Sequence, residues 1–246
     1  MKTRFKVALL TLLGFAFASG PRAVAQEQRD DKWSFDVSLY GLAAGMSGDV
    51  TVGPISADLD LGFDDILDNL DFGAMGKIRV GYDRWSFNTE VIYMSLEASK
   101  DGFKADMDQW IVEPTLGYTI CKGFEALAGV RYNNLSGDIT GTGPLGIARA
   151  ASGTQDWWDP ILGANLSLPF AKKFSLNLRG DIGGFGVGSD LTWQAFPYVN
   201  WQISRCCSLQ GGYRWVYVDY ETGSGANEFK YDVLTQGPQL GVTFRF

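Results

Sequence analysis

The sequence predicts an all-β protein, a transmembrane antiparallel up-and-down β-barrel of about ten strands (eight or twelve being the neighbouring counts), with a short helix in its first long loop. Three observations carry this. Strict alternation of apolar and polar residues recurs in segments of about ten residues, giving strands with one oily and one polar face. Hydrophobic residues make up 46% of the chain, yet mean hydropathy is -0.05. Barrel strands produce that combination, because lipid-facing and lumen-facing residues cancel. Aromatics are 14% of the chain and glycine 31 of 246 residues, and the aromatics gather near strand ends.

The first segment is read as a leader. Lys2, Arg4 and Lys6 form a basic start, Val7 to Ala18 is apolar apart from Thr11 and Gly14, and Ala23-Val24-Ala25 fits a small-residue cleavage site. Residues 1–25 are therefore expected to be a secretory signal peptide cut before Gln26, and 26–246 the barrel. The apolar run is too short for a spanning helix. Losing the leader's four bases takes the net charge from -7 to -11. That acidity excludes nucleic acid as a partner, which would require a basic patch.

The expected strands follow in order. The first is Trp33 to Ala43, with Trp33, Phe35, Val37 and Leu39 outward and Ser34, Asp36, Ser38 and Tyr40 inward. Phe72 to Tyr82 points Lys77 and Arg79 inward. Trp85 to Leu96 follows the Asp83-Arg84 turn and points Asn88 and Glu90 inward. Ser99 to Asp108 reads as a polar loop, and Trp110 to Ile120 carries Glu113 and Thr115 on its inner face. Phe124 to Asn134 carries Glu125, Arg131 and Asn133 there. Leu135 to Thr154 reads as a long Gly-rich loop. Trp157 to Leu168 turns Asp159 and Asn165 inward, and Phe174 to Gly183 turns Asn177, Arg179 and Asp181. Leu191 to Ile203, Ser208 to Tyr220 with Arg214, and a closing strand reaching back towards Phe229 complete the set.

Short turns alternate with long loops, as in barrels whose turns face the periplasm. Trp33, Trp85, Phe124, Phe174 and Trp201 mark one rim. Tyr93, Trp110, Tyr132, Trp158, Trp193 and Trp215 mark the other. A soluble sandwich or lipocalin-like barrel would put its charges on the outer face. Here the charged face also carries Gly, Ser and Asn, which suits a lumen. The inward acids are Asp36, Glu90, Glu113, Glu125, Asp159 and Asp181, and the inward bases are Lys77, Arg79, Arg131, Arg179, Arg214 and Arg245. Balanced charges in so narrow a barrel are expected to form an ion-pair network.

The last strand ends on Leu240, Val242, Phe244 and Phe246 at every second position. This resembles the C-terminal targeting signal of bacterial outer-membrane β-barrels, which implies the barrel-assembly machinery and outer-membrane lipids as partners. Four runs carry a narrower likeness: Asp58 to Gly76, Trp158 to Gly163, Arg179 to Gln194 and Gly212 to Trp215. They resemble a group of uncharacterised proteobacterial outer-membrane barrels and, more loosely, the small OmpA-like and OmpW-like barrels. The resemblance implies a Gram-negative outer-membrane location and no particular chemistry.

Little else points to catalysis. The chain has no histidine, so a serine would lack its usual base. No enzyme activity is expected. Cys121, Cys206 and Cys207 are an odd count at turns, matching no zinc spacing. Gly183 to Gly188 imitates a phosphate loop but precedes no helix, so it reads as a tight connection. The stretch Asp58 to Asp71 is more distinctive. Phe63, Ile66, Leu67 and Leu70 have helical spacing, predicting an amphipathic helix over Phe63 to Leu70. Asp58, Asp60, Asp64 and Asp65 surround it and are candidate ligands for Ca²⁺ or Mg²⁺, with no other cofactor expected. The helix is expected to cover the mouth. The leading functional expectation is a narrow or closed porin-like barrel for small-solute binding or passive transport. A structural or surface-interaction role is the alternative.

Overall fold

Alternating aromatic, β-branched and small polar residues put nearly every segment between turns into strand. The computed structural model describes residues 33–53, 55–100, 103–142 and 148–246; the expected leader and cleavage site lie outside them. Strands β1 (Trp33–Leu42), β2 (Gly45–Val52) and β3 (Ile55–Leu61) precede the helix α1 (Phe63–Asn69). Then come β4 (Leu70–Tyr82), β5 (Trp85–Lys100), β6 (Phe103–Cys121), β7 (Phe124–Thr142) and β8 (Ala148–Ala171). β9 (Phe174–Gly184), β10 (Leu191–Gln202), β11 (Cys207–Thr222) and β12 (Phe229–Arg245) finish the chain. All neighbours are antiparallel, and β1 pairs with both β4 and β12, which closes the sheet.

The barrel has ten staves. β1 pairs with the last part of β12 and β2 with its first part, so β1 and β2 are one stave with a break at Ala43–Ala44. The break has a cause on β12: Pro238 has no N–H to give, and Ala43 donates to the Pro238 carbonyl at 2.9 Å instead. β3 runs back along β2, and β4 continues along β1 after the helix. The same device recurs where β6 meets β7 and where β10 meets β11. The ladders skip the pairs around Pro114 and Pro197 and resume at Gly129 opposite Thr115 and at Gly212 opposite Tyr198. A Cβ on Gly212 would lie 2.2 Å from the Pro197 carbonyl oxygen. We expect Gly212→Val to destabilise the barrel by roughly 1–3 kcal/mol through overpacking, read as a lower thermal transition in detergent. An unchanged transition would contradict this account of the wall.

The outer surface is apolar. Phe87, Leu116, Leu162 and Leu240 are half or more exposed, and Ile78 and Ile182 nearly so. Aromatic pairs join neighbouring strands at two levels. Trp33–Tyr82, Trp85–Tyr118 and Phe174–Trp201 lie at the turn end, with centroids 4.6, 4.7 and 5.9 Å apart. Tyr93–Trp110, Tyr132–Trp158 and Trp193–Tyr217 lie towards the loop end, 4.5, 4.7 and 6.1 Å apart. Trp85 to Tyr93 runs roughly 26 Å along β5, which a tilted strand uses to cross most of a ~25 Å apolar band. These girdles are those of a transmembrane barrel.

The structure corrects several expectations between the staves. The described parts of Ser99 to Asp108 and of Leu135 to Thr154 are strand rather than loop: β5–β6 pair as far as Lys100 and Phe103, and β7–β8 as far as Thr142 and Ala148. Strand pairing there satisfies backbone groups that a long loop would leave to water. Gly45–Val52 and Ile55–Leu61 likewise pair as β2 and β3 rather than forming loop. The helix ends at Asn69, and Leu70 already belongs to β4. Its start is fixed by Gly62, whose carbonyl accepts from the Ile66 N–H at 3.1 Å and whose N–H donates to Asp65 Oδ2 at 3.0 Å.

Candidate functional site

The inner face of the barrel changes character along its axis. Strand parity places each inward side chain, and the strand's position between turn and loop sets its level. At the turn end, Arg245 holds Asp36 with both ends of its fork, at 2.7 and 3.1 Å, across the β1–β12 pair. Arg79 grips Glu125 the same way, at 3.0 and 2.8 Å. Ser86 and Asn165 complete that carboxylate's hydrogen bonds at 2.7 and 2.8 Å.

The middle of the lumen is a continuous chain of three arginines and three carboxylates. Glu90 accepts from Arg214 at 2.8 Å, from Arg179 at 2.9 Å and from the Tyr40 hydroxyl. Arg179 also reaches Glu113. Arg131 donates to Glu113 at 2.8 Å, to Asp181 at 2.7 Å and to Thr192 at 2.9 Å. Gln194 bridges the ends of the chain, donating to Asp181 at 3.0 Å and accepting from Arg214 at 2.9 Å. Glu90 sits on β5, Arg179 on β9 and Arg214 on β11, so these bonds cross the lumen rather than run along its wall. Arg131 is 1% exposed and Glu113 2%. Charges so deep are held only because each has an oppositely charged partner and further hydrogen bonds.

Two charges stand outside this pattern. Among the described residues Asp159 pairs with no cation: it accepts from Asn133 at 3.2 Å, Trp157 Nε1 at 3.1 Å and the Ser189 N–H at 2.7 Å. It fastens the short β9–β10 connection onto the wall. Lys77 lies in register opposite Glu90 but, among the described residues, makes no hydrogen bond and no ion pair. The expectation that all twelve charges pair is thus corrected at these two positions.

Above Asp159 the inner face turns apolar. Val218, Tyr220, Phe229, Tyr231 and Val233 from β11 and β12 meet Met46, Met94, Leu96, Leu135 and Trp157. Trp157 stacks on Tyr220 with centroids 4.1 Å apart and planes at 9°. Ile66 of α1 joins this layer at 5% exposed, whereas Phe63 is 41% exposed. The helix thus contributes Ile66 to an apolar layer that lies outside the expectations above. Its signal was present, since inward positions 216, 218 and 220 on β11 and 229, 231 and 233 on β12 are all apolar.

Below the arginine chain a cavity of about 490 Å³ fills the turn end, lined by Tyr40, Lys77, Arg79, Phe196, Tyr198 and Gln210 among others. We call it the vestibule. Tyr40, Gln194, Thr192 and Gln239 are site residues that charge-based reasoning passed over, although the same parity marks them as inward.

Among the described residues, which include Asp58, Asp60, Asp64 and Asp65, no group of three or more acidic or cysteine side chains is placed to hold an ion. Asp64 and Asp65 begin the helix, where its dipole favours them. Asp58 and Asp60 lie in β3. Asp58 faces Asp49, Asp49 faces Asp232 and Asp232 faces Asp219, a row of like charges past the girdle. Burial, then the Asp232 charge, pushes the Asp219 carboxyl above its ordinary pKa. Cys121, Cys206 and Cys207 are free thiols. Leu240, Phe244 and Phe246 are exposed on the outer face, 40% or more, with Val242 half-buried beside them.

No family model and no curated protein matches the chain. Solved structures do match. The outer membrane protease OmpT from Escherichia coli aligns with TM-score 0.54 at 10% identity, covering 88% of this chain and 98% of that one. The translocator domain of autotransporter NalP from Neisseria meningitidis gives 0.46 at 10% identity, covering 88% and 90%. Ail, the attachment invasion locus protein of Yersinia pestis, gives 0.38 at 10% identity, covering 87% and 98%. The narrower likeness to OmpA-like and OmpW-like barrels rests on the sequence motifs alone. What the match to OmpT shows is the fold, the closed antiparallel barrel of an outer-membrane protein.

Proposed function

We propose that this chain is a Gram-negative outer-membrane barrel closed to free diffusion, which binds a small solute in its vestibule. One observation carries the reading: the described residues line a cavity at the turn end of the lumen, with the arginine–carboxylate chain and then the apolar layer lying between it and the other end. With the short turns on the periplasmic side, as is general for such barrels, the vestibule faces the periplasm. A concave site of this size with a few convergent polar groups fits a small ligand. Binding without catalysis is the matching role, because no histidine is present to serve as base. In planar bilayers the wild-type protein should stay silent over many insertions, and liposomes carrying it should not swell in sugars. Stepwise channels or sugar flux at general-porin rates would overturn the closed-barrel reading.

The hairpins β5–β6 and β7–β8 favour a second reading, a surface-interaction protein. They run well past the girdle that Tyr93, Trp110, Tyr132 and Trp158 mark. Trimming them to the girdle would abolish partner binding on that reading and leave vestibule binding intact on the first.

A further inference from the structure

The charges on the vestibule wall do not cancel, and the remainder identifies the ligand class. Asp36 is taken by Arg245 and Glu125 by Arg79. Glu90, Glu113 and Asp181 are matched by Arg214, Arg179 and Arg131. One wall cation is left over, Lys77. It borders the cavity, makes no ion pair or hydrogen bond among the described residues, and is only partly shielded from solvent. Asp159 does not answer it, because that carboxylate is satisfied by three neutral donors on the far side of the arginine chain.

The rest of the wall is built for hydroxyl groups. Asn200 and Gln210 border the cavity, and neither makes a side-chain hydrogen bond among the described residues. Amides offer both donors and acceptors, which suits hydroxyls that are both. Phe196 and Tyr198 lie side by side on the same wall, stacked 4.6 Å apart, and give an apolar surface for the C–H face of a ring. We propose that the vestibule binds a small, hydroxyl-rich organic monoanion of the sugar-acid class, its carboxylate on Lys77 and its hydroxyls on the neighbouring amides. A single unmatched cation selects a monoanion over a dianion. This inference rests on the vestibule being a solute site.

Calorimetry on the full barrel in detergent tests it, with glucuronate, glucose and acetate as probes. Glucuronate should bind at least tenfold tighter than glucose or acetate. Lys77→Met should remove that preference and Lys77→Arg restore it, both with the wild-type thermal transition. Asn200→Trp, which fills the vestibule without removing a charge, should abolish binding and serves if the Lys77 variants fail to fold. Equal binding of glucose and glucuronate overturns the anion assignment and leaves the vestibule as a site. Acetate binding as tightly as glucuronate overturns the sugar class, and glucuronate binding unaffected by Asn200→Trp overturns the location. Absence of binding by all three probes overturns both the inference and the vestibule reading.

Discussion

Arg131→Ala should cost roughly 3–5 kcal/mol of stability, among the largest effects available to a single substitution in this chain. The side chain is 1% exposed and donates to Glu113, Asp181 and Thr192. Its removal leaves Glu113 to Arg179 alone. Asp181 keeps only Gln194 and a 3.6 Å contact with Arg179. Three carboxylates would then share two guanidinium groups, at a level where the Glu113 and Asp181 side chains are 2% and 1% exposed. The cost comes from the charge left behind, so Arg131→Met should be nearly as severe. Adding Asp181→Asn should recover part of the loss, because it removes the uncompensated charge. Arg245→Ala serves as the comparison: that side chain is 58% exposed and its partner Asp36 9%, at the open turn end of the lumen, so the charge left behind should cost less, about 1–3 kcal/mol. The measurement is the thermal transition in detergent, followed by loss of heat-modifiable mobility. Equal transitions for Arg131→Ala and Arg245→Ala would sink the view that the arginine chain holds the lumen together.

The facing of these charges was legible because strand parity is rigid. Once Phe87 is outward, Glu90 is inward, and no packing detail alters that. Partner choice was not legible. Arg179 meets Glu90 across the lumen, between strands β9 and β5 that are far apart in sequence, and that meeting depends on stagger and closure. Counting six inward acids against six inward bases therefore implied pairs for Lys77 and Asp159 that the geometry does not form. A neutral donor set served Asp159 as well as a cation would have. It came from Trp157, Asn133 and a backbone N–H, and a backbone donor leaves no mark in composition.

The extra hairpin was missed for a different reason. Asp58-Leu59-Asp60-Leu61 alternates as strictly as any barrel strand, and Leu59 and Leu61 do pack against the apolar layer. Its acidity and its position beside a helical pattern drew it into the loop. β2 gave a weaker signal still, since Gly48 interrupts the oily face made by Met46, Val50 and Val52 opposite Ser47, Asp49 and Thr51. Pairing with β12 makes it a strand, and that is a tertiary fact that local propensity does not contain.

The second large effect concerns the layer above. Ile66→Asp should destabilise the barrel by about 2–5 kcal/mol, the range for losing a large buried apolar side chain, with the added penalty of burying a charge. Ile66 is the contribution of α1 to the layer formed by Met46, Met94, Leu96, Leu135, Trp157 and the β11–β12 side chains. An aspartate there must either draw water into that layer or pull the helix away from it. Either way the mouth opens. Conductance should nevertheless stay near zero, because the arginine–carboxylate chain is a second seal in series below it. Ile66→Asp combined with Arg179→Ala should breach both seals and give stepwise openings in a planar bilayer. Each single variant should remain silent. Openings in Ile66→Asp alone, as large as in the double variant, would show that the apolar layer is the whole seal and the charged chain none of it. Silence of the double variant would show that the lumen is filled by more than these two layers.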